Sequence, residues 1–183
     1  MVVLDIETSG LNPSKNHLLS IGAVDFDTGE EFYVECRVNP NEISNIDPVA
    51  LKVNGFTIDE LVGEKSKDKP TQEEGYIQFY NWAKNRDNLI AGQQVGSFDL
   101  AWLKVIHENL NKSGTFTEKW PFKHRAVDLH SICYYLFKES LSLDGILLKL
   151  GLEPEPKPHV AINGARLERD AFKRIFSAPG WKS

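Results

Sequence analysis

Apolar positions along this 183-residue chain change period several times, and each change marks an element. Met1 to Ile6 is apolar and β-branched, with Gly10 and Asn12-Pro13 behind it as a stop, which reads as a strand. Ser20 to Phe26 and Glu31 to Val38 are two further strand-like runs, and Asp27-Thr28-Gly29 between them has hairpin-turn chemistry, so the chain opens as a three-stranded meander. Asp47-Pro48 then starts a short helix, Asp at the cap and Pro at the first position, and Gly55 stops it. Thr57 to Leu61 reads as another helical turn. From Thr71 onward Tyr76, Phe79, Tyr80 and Ala83 recur at helical spacing, behind Thr71 and Glu74 in capping-box register.

Leu89-Ile90-Ala91 is a short buried strand ended by Gly92, and Ser97 to Leu110 is helical, with Leu100, Leu103 and Ile106 or His107 on one face. Ala126-Val127 is a brief strand, followed by helices over Leu129 to Phe137 and Leu143 to Leu150. Pro154 to Pro158 is a stiff linker. A last helix is expected over Ala165 to Phe176, its start delayed by the turn-prone pair Asn163-Gly164. A meander followed by alternating helices and short strands is an α/β plan, a mixed sheet covered by helices. The length suits one domain, read as residues 1–178 with a short tail over 179–183. Trp102 and the aromatic cluster Tyr134, Tyr135 and Phe137 are expected to pack inside.

A hydrophobic fraction of 41% and a charged fraction of 26% are those of an ordinary globular protein. The net charge of −5 argues against a protein that coats nucleic acid along its length, which would be basic. It leaves room for an enzyme that grips a strand end, where bound cations and local Lys123, His124, Arg125 and Lys157 offset phosphate charge. Lys65, Lys67 and Lys69 alternate with Glu64 and Asp68 and read as a solvated loop. Cys36 and Cys133 have no metal-type spacing and read as buried thiols of a reducing compartment. Without a signal-like opening or an apolar run near ~20 residues, the expectation is a cytoplasmic protein with no membrane partner.

The chemistry begins at Leu4-Asp5-Ile6-Glu7-Thr8-Ser9-Gly10. Alternate side chains on a strand share a face, so Asp5 and Glu7 project together. Two such carboxylates are either solvated surface acids or hard oxygen ligands for Mg²⁺ or Mn²⁺. Asp99 opens a helix after a buried strand, where it is either a charge favoured by the helix dipole or a third metal-facing acid. His159 follows the Pro-rich linker, and is either a solvated loop residue or a general base.

Three segments in order, Asp5-x-Glu7-Thr-Ser-Gly, Gly-Ser-Phe-Asp99-Leu-Ala-x-Leu and His159-x-Ala161-x-x-x-Ala165, resemble the motifs of the DEDDh 3′→5′ exonucleases, the group of the proofreading epsilon subunit, ribonuclease T and oligoribonuclease. The resemblance covers nearly the whole chain. It implies a ribonuclease H-like fold with a mixed five-stranded sheet and helices on both faces. It also implies hydrolysis of single-stranded DNA or RNA from the 3′ end, with a replicase or another protein as a further partner. Two divalent ions, Mg²⁺ or Mn²⁺, would be held near Asp5, Glu7 and Asp99, and His159 would take the proton of the attacking water. Thr8, Leu11 and Phe98 would touch the terminal nucleotide.

The family's fourth carboxylate falls at Gly164, which has no side chain to ligate anything. Asn163 or an extra water could stand in for it. Asp170, six positions further, lies about 9 Å along a helix and is a poor substitute. The departure supports either an exonuclease of reduced activity or a degenerate module that binds nucleic-acid ends or a protein partner. If the site is merely weakened, Gly164→Asp raises metal affinity.

Overall fold

The computed structural model describes residues 1–178; the tail over 179–183 lies outside the described residues. The first strand, β1 (Val2–Thr8), is the centre of a five-stranded sheet with β2 (Leu18–Asp25), β3 (Glu31–Glu35), β4 (Ile90–Gly92) and β5 (Ala126–Asp128), ordered β3-β2-β1-β4-β5. The meander supplies the antiparallel half, with Asp5 opposite Gly22 and Glu7 opposite Ser20. β4 and β5 add in parallel, Val2 pairing with Ile90 and Ile90 with Ala126. The sheet is therefore mixed, as expected.

Alternation along β1 separates two cores. Val2, Leu4 and Ile6 pack with Tyr76, Phe79, Trp102 and Leu103 of α3 (Gln72–Ala83) and α4 (Asp99–Lys112). Val3, on the opposite face, packs with residues of α5 (Leu129–Phe137), α6 (Leu143–Lys149) and α7 (Ala161–Phe176), among them Cys133, Ile146 and Phe172. Asp5 and Glu7 share the face of Val3, so the apolar stripe under α7 turns acidic toward the end of the strand. Two short helices, α1 (Pro48–Asn54) and α2 (Ile58–Val62), follow the meander, the first ended by Gly55 in the left-handed conformation (φ 74°) that favours glycine. Thr71 and Glu74 form the expected capping box of α3.

The last helix departs from expectation. It begins at Ala161 and runs through Asn163-Gly164 without a break. A helical glycine costs about 1 kcal/mol, whereas burying an aliphatic side chain such as Ile162 contributes about 1.5–3 kcal/mol. Ile162 and Ala165 pack onto Val24 of β2, so packing overrides the local turn preference. The helix can come this close because Gly22 has no side chain: a Cβ there would overlap the backbone of Ala161 and Ile162.

The aromatic cluster is a second correction. Tyr134 and Tyr135 are 53% and 70% exposed, and Phe137 alone of the three packs against the core. α5 buries Leu129 and Cys133 toward the sheet, which turns positions 134 and 135 outward. Trp102 is buried as expected, and both cysteines are buried free thiols. The lysine loop contains a short 3₁₀ turn, Glu64–Ser66, and Lys69 is tied to Glu35 at 2.6 Å. No described helix is long and apolar enough to cross a membrane. Gly22→Ala should lower stability by about 1–3 kcal/mol through overpacking beneath α7, read as a lower urea midpoint at unchanged slope.

Candidate active site

The ladder between β1 and β4 ends at the pair Val3 and Ala91, and beyond it the two strands share no further pairs. The N–H of Ile6 instead donates to Asp99 Oδ1 at 3.1 Å. That bond holds the first turn of α4 against the end of β1 and fixes a carboxylate that is 3% exposed beside Asp5 and Glu7. A place in the first turn and convergence on β1 are thus compatible, because a first-turn acid is stabilised by the dipole wherever it points.

The proline-rich segment is docked, not free. Asp144 of α6 accepts the N–H of Glu155 at 2.9 Å and the ammonium of Lys157 at 3.2 Å, and the N–H of His159 donates to Val53 O at 3.1 Å. Pro158 lies against Gly55, where a Cβ would come within 2.5 Å of the proline ring. His159 Nδ1 sits 3.0 Å from Glu155 Oε2, and Lys157 Nζ makes a short hydrogen bond to His159 Nε2. Sequence reading missed Glu155. Its spacing of four from the histidine was visible, but its burial inside a proline-rich stretch was not.

Thr8, Leu11 and Phe98 line a cleft of about 300 Å³ together with Ile6, Glu7 and Val53. The Thr8 hydroxyl donates to Gly10 O at 2.7 Å, so it shapes the cleft wall. Leu11 is 84% exposed at the rim, and Phe98 packs beside Trp102. By contrast, Lys123, His124 and Arg125 precede β5 and lie near the start of β4, with Lys123 tied to Asp87. That is the opposite end of the parallel strands from Asp5 and Glu7. Lys157 is the cation of that expected set whose charge reaches Glu7.

Around position 164 the structure answers the sequence differently from expectation. Asn163 does not fill the gap: its amide oxygen accepts from Arg166 at 3.1 Å, and Arg166 is itself bonded to Glu31. Asp170 is exposed. Gly164 packs directly on Asp5, and a Cβ would stand 2.8 Å from Asp5 Cγ, so a side chain at this position requires the Asp5 carboxylate to shift. One turn later Glu168, missed in the sequence, is 2% exposed and accepts the Gln93 N–H at 3.1 Å.

Of these acids Asp99, Glu155 and Glu168 are buried, while Asp5 and Glu7 are half-buried. Burial, then the charges of Glu168, Asp99 and Glu7, push the Asp5 carboxyl well above the usual range. Burial and Glu155 raise Glu7 to about 8, against the opposing pull of Lys157. Burial raises Asp99 to about 8 despite the Ile6 bond, and burial with Asp99 raises Glu168 well above its ordinary value. Hard oxygen donors and an unpaired buried carboxylate oxygen suit a divalent cation. Among the described residues, however, no three His, Cys, Asp or Glu side chains are drawn close enough to enclose an ion as they stand.

The mixed sheet with helices on both faces is the ribonuclease H-like fold, here with acids gathered at the end of its central strand. The exonuclease family model, of the ribonuclease T type, matches residues 2–168, and the chain belongs to that family. The PolC-type DNA polymerase III of Thermotoga petrophila is 28% identical over 178 residues, 95% of this chain, of which this chain spans 12%. The 3′-5′ DNA exonuclease Cap18 of Escherichia coli is 27% identical, over 95% of this chain and 90% of its own length. Among solved structures, E. coli exonuclease I in complex with a dA16 oligonucleotide superposes with a TM-score of 0.73 at 18% identity, over 97% of this chain and 41% of that one.

The raised acids set a pH dependence. Asp5, Glu7, Asp99 and Glu168 bind protons more tightly in the folded state, so between the unfolded range near ~4 and about 8 the native state carries more protons than the unfolded chain. Stability then falls as pH rises through that window. In EDTA, Tm should drop from pH 5 to pH 8, and Asp99→Asn should flatten the drop; a Tm that climbs over this range would contradict the assigned burial.

Proposed function

We propose that this protein is a metal-dependent 3′→5′ exonuclease acting on single-stranded nucleic acid. The observation that carries the reading is that Asp5, Glu7 and Asp99 gather at the end of β1 within reach of the charge of Glu155, the partner of His159, beside a cleft with several apolar lining residues. Asp5, Glu7 and Asp99 would hold two divalent cations, Mg²⁺ or Mn²⁺. Such ions supply Lewis-acid activation of water and charge neutralisation at the leaving 3′ oxygen.

The chain's own residues account for the rest. His159 takes a proton at Nε2, while Glu155 fixes the tautomer by accepting from Nδ1–H and stabilises the imidazolium that results. Lys157 must leave Nε2 before that nitrogen can accept a proton, and its ammonium is then free to meet a phosphate oxygen. Leu11 and Phe98 offer apolar surface for a terminal base, and stacking of that kind tolerates any base. Cap18, a 3′-5′ DNA exonuclease by name, supports the direction of attack. Exonuclease I structures with dT13 and dA16 oligonucleotides support a single-stranded substrate.

A 5′-labelled single strand incubated with Mn²⁺ should yield a ladder shortening one nucleotide at a time. Asp5→Asn should abolish it, and His159→Ala should slow it by about 10²–10⁴-fold, the usual contribution of a positioned base. Binding without shortening at every metal concentration would make the protein an end-binding module instead.

A further inference from the structure

Gly164 marks a missing acid in the sequence, and the fold buries another acid, Glu168, one helical turn further along. Glu168 lies one helical turn along α7, about 6 Å further at 1.5 Å per residue and on nearly the same face. Helical side chains lean toward the helix N-terminus, so a glutamate at 168 reaches back toward 164, with one methylene more than an aspartate would have. Gly164 lets the Asp5 carboxylate come directly against the helix, and Gly92 at the end of β4 leaves room beside Glu168: a Cβ on Gly92 would stand 3.1 Å from Glu168 Oε2.

Within this space the two carboxylate oxygens differ. Oε1 accepts the Gln93 N–H at 3.1 Å, which fixes the side chain's direction. Oε2 is buried and has no hydrogen-bond partner among the described residues. An unpaired buried carboxylate oxygen is costly on its own, and the charge that bears on it most is a further acid, Asp99, while its own charge raises Asp5. Neither the capping of α7 nor its packing explains it, since the residue sits mid-helix among carboxylates.

We propose that Glu168 is the fourth acid of this site, a hard oxygen ligand that joins Asp5 and Asp99 around a divalent cation from one turn beyond Gly164. The proposal deepens the exonuclease reading and rests on it for the cation. Gly164 brings the helix onto Asp5, and Glu168 supplies a buried carboxylate one turn further along.

Mn²⁺ binding to the full chain, followed by titration calorimetry without substrate, tests it. Glu168→Gln, which swaps one oxygen for an amide, should weaken Mn²⁺ binding at least about tenfold, while Asp170→Asn on the exposed side of the same helix leaves it unchanged. Glu168→Asp keeps the charge but withdraws it by one methylene; it should also weaken binding, which covers the case that Glu168→Gln folds poorly. Gly164→Asp should weaken binding too, by displacing Asp5. Isotherms for both Glu168 variants that superpose on wild type, with binding lost in Asp5→Asn, would overturn the role of Glu168 and leave the exonuclease reading standing. Tighter binding in Gly164→Asp would also overturn it, since a vacant ligand position would then exist. No Mn²⁺ binding by wild type would sink both.

Discussion

Several carboxylates gathered on one side of a sheet, Asp99, Glu155 and Glu168 buried and Asp5 and Glu7 half-buried, are the constraint to which the rest of this structure answers. Asp5, Glu7, Asp99, Glu155 and Glu168 crowd the end of β1, and burial is the leading cause of the raised pKa of each. Two unit charges ~4 Å apart repel by about 4 kcal/mol at an effective dielectric of ~20, more than one buried aliphatic side chain contributes. Protons or cations must therefore neutralise the cluster. The apolar layers on both faces of β1, one under α3 and α4 and the other under α5 to α7, supply the stability that offsets it.

The close approach of α7 gives the cluster its shape. Gly22 admits the start of the helix onto β2, and Gly164 admits its next turn onto Asp5. With the backbone this near, a side chain at 164 would meet the Asp5 carboxylate, and the buried acid of α7 stands one turn further along. Loss of a carboxylate from one position and burial of another four residues later are two aspects of one packing distance.

His159 illustrates how a rigid frame disciplines a loop. Asp144 ties down the backbone of Glu155 and the side chain of Lys157, Val53 takes the His159 N–H, and Gly55 receives Pro158. The imidazole thus stands between an acid at Nδ1 and an ammonium at Nε2. Composition alone suggested a stiff spacer here, because proline count reports chain stiffness but not what the chain docks against.

Local rules determined much of this protein from its sequence. Period-two alternation placed Asp5 and Glu7 on one face, and capping chemistry marked the starts of α1 and α3, because both depend on residues within a few positions of one another. Tertiary structure decided the start of α7, the outward turn of Tyr134 and Tyr135, and the meeting of Glu155 with His159. It also decided that Glu168 faces the acids while Asn163 turns to Arg166. The face a helical residue presents depends on the rotation at which its helix settles on the sheet, and for α7 the space beside Gly22 sets that rotation, more than a hundred residues away along the chain.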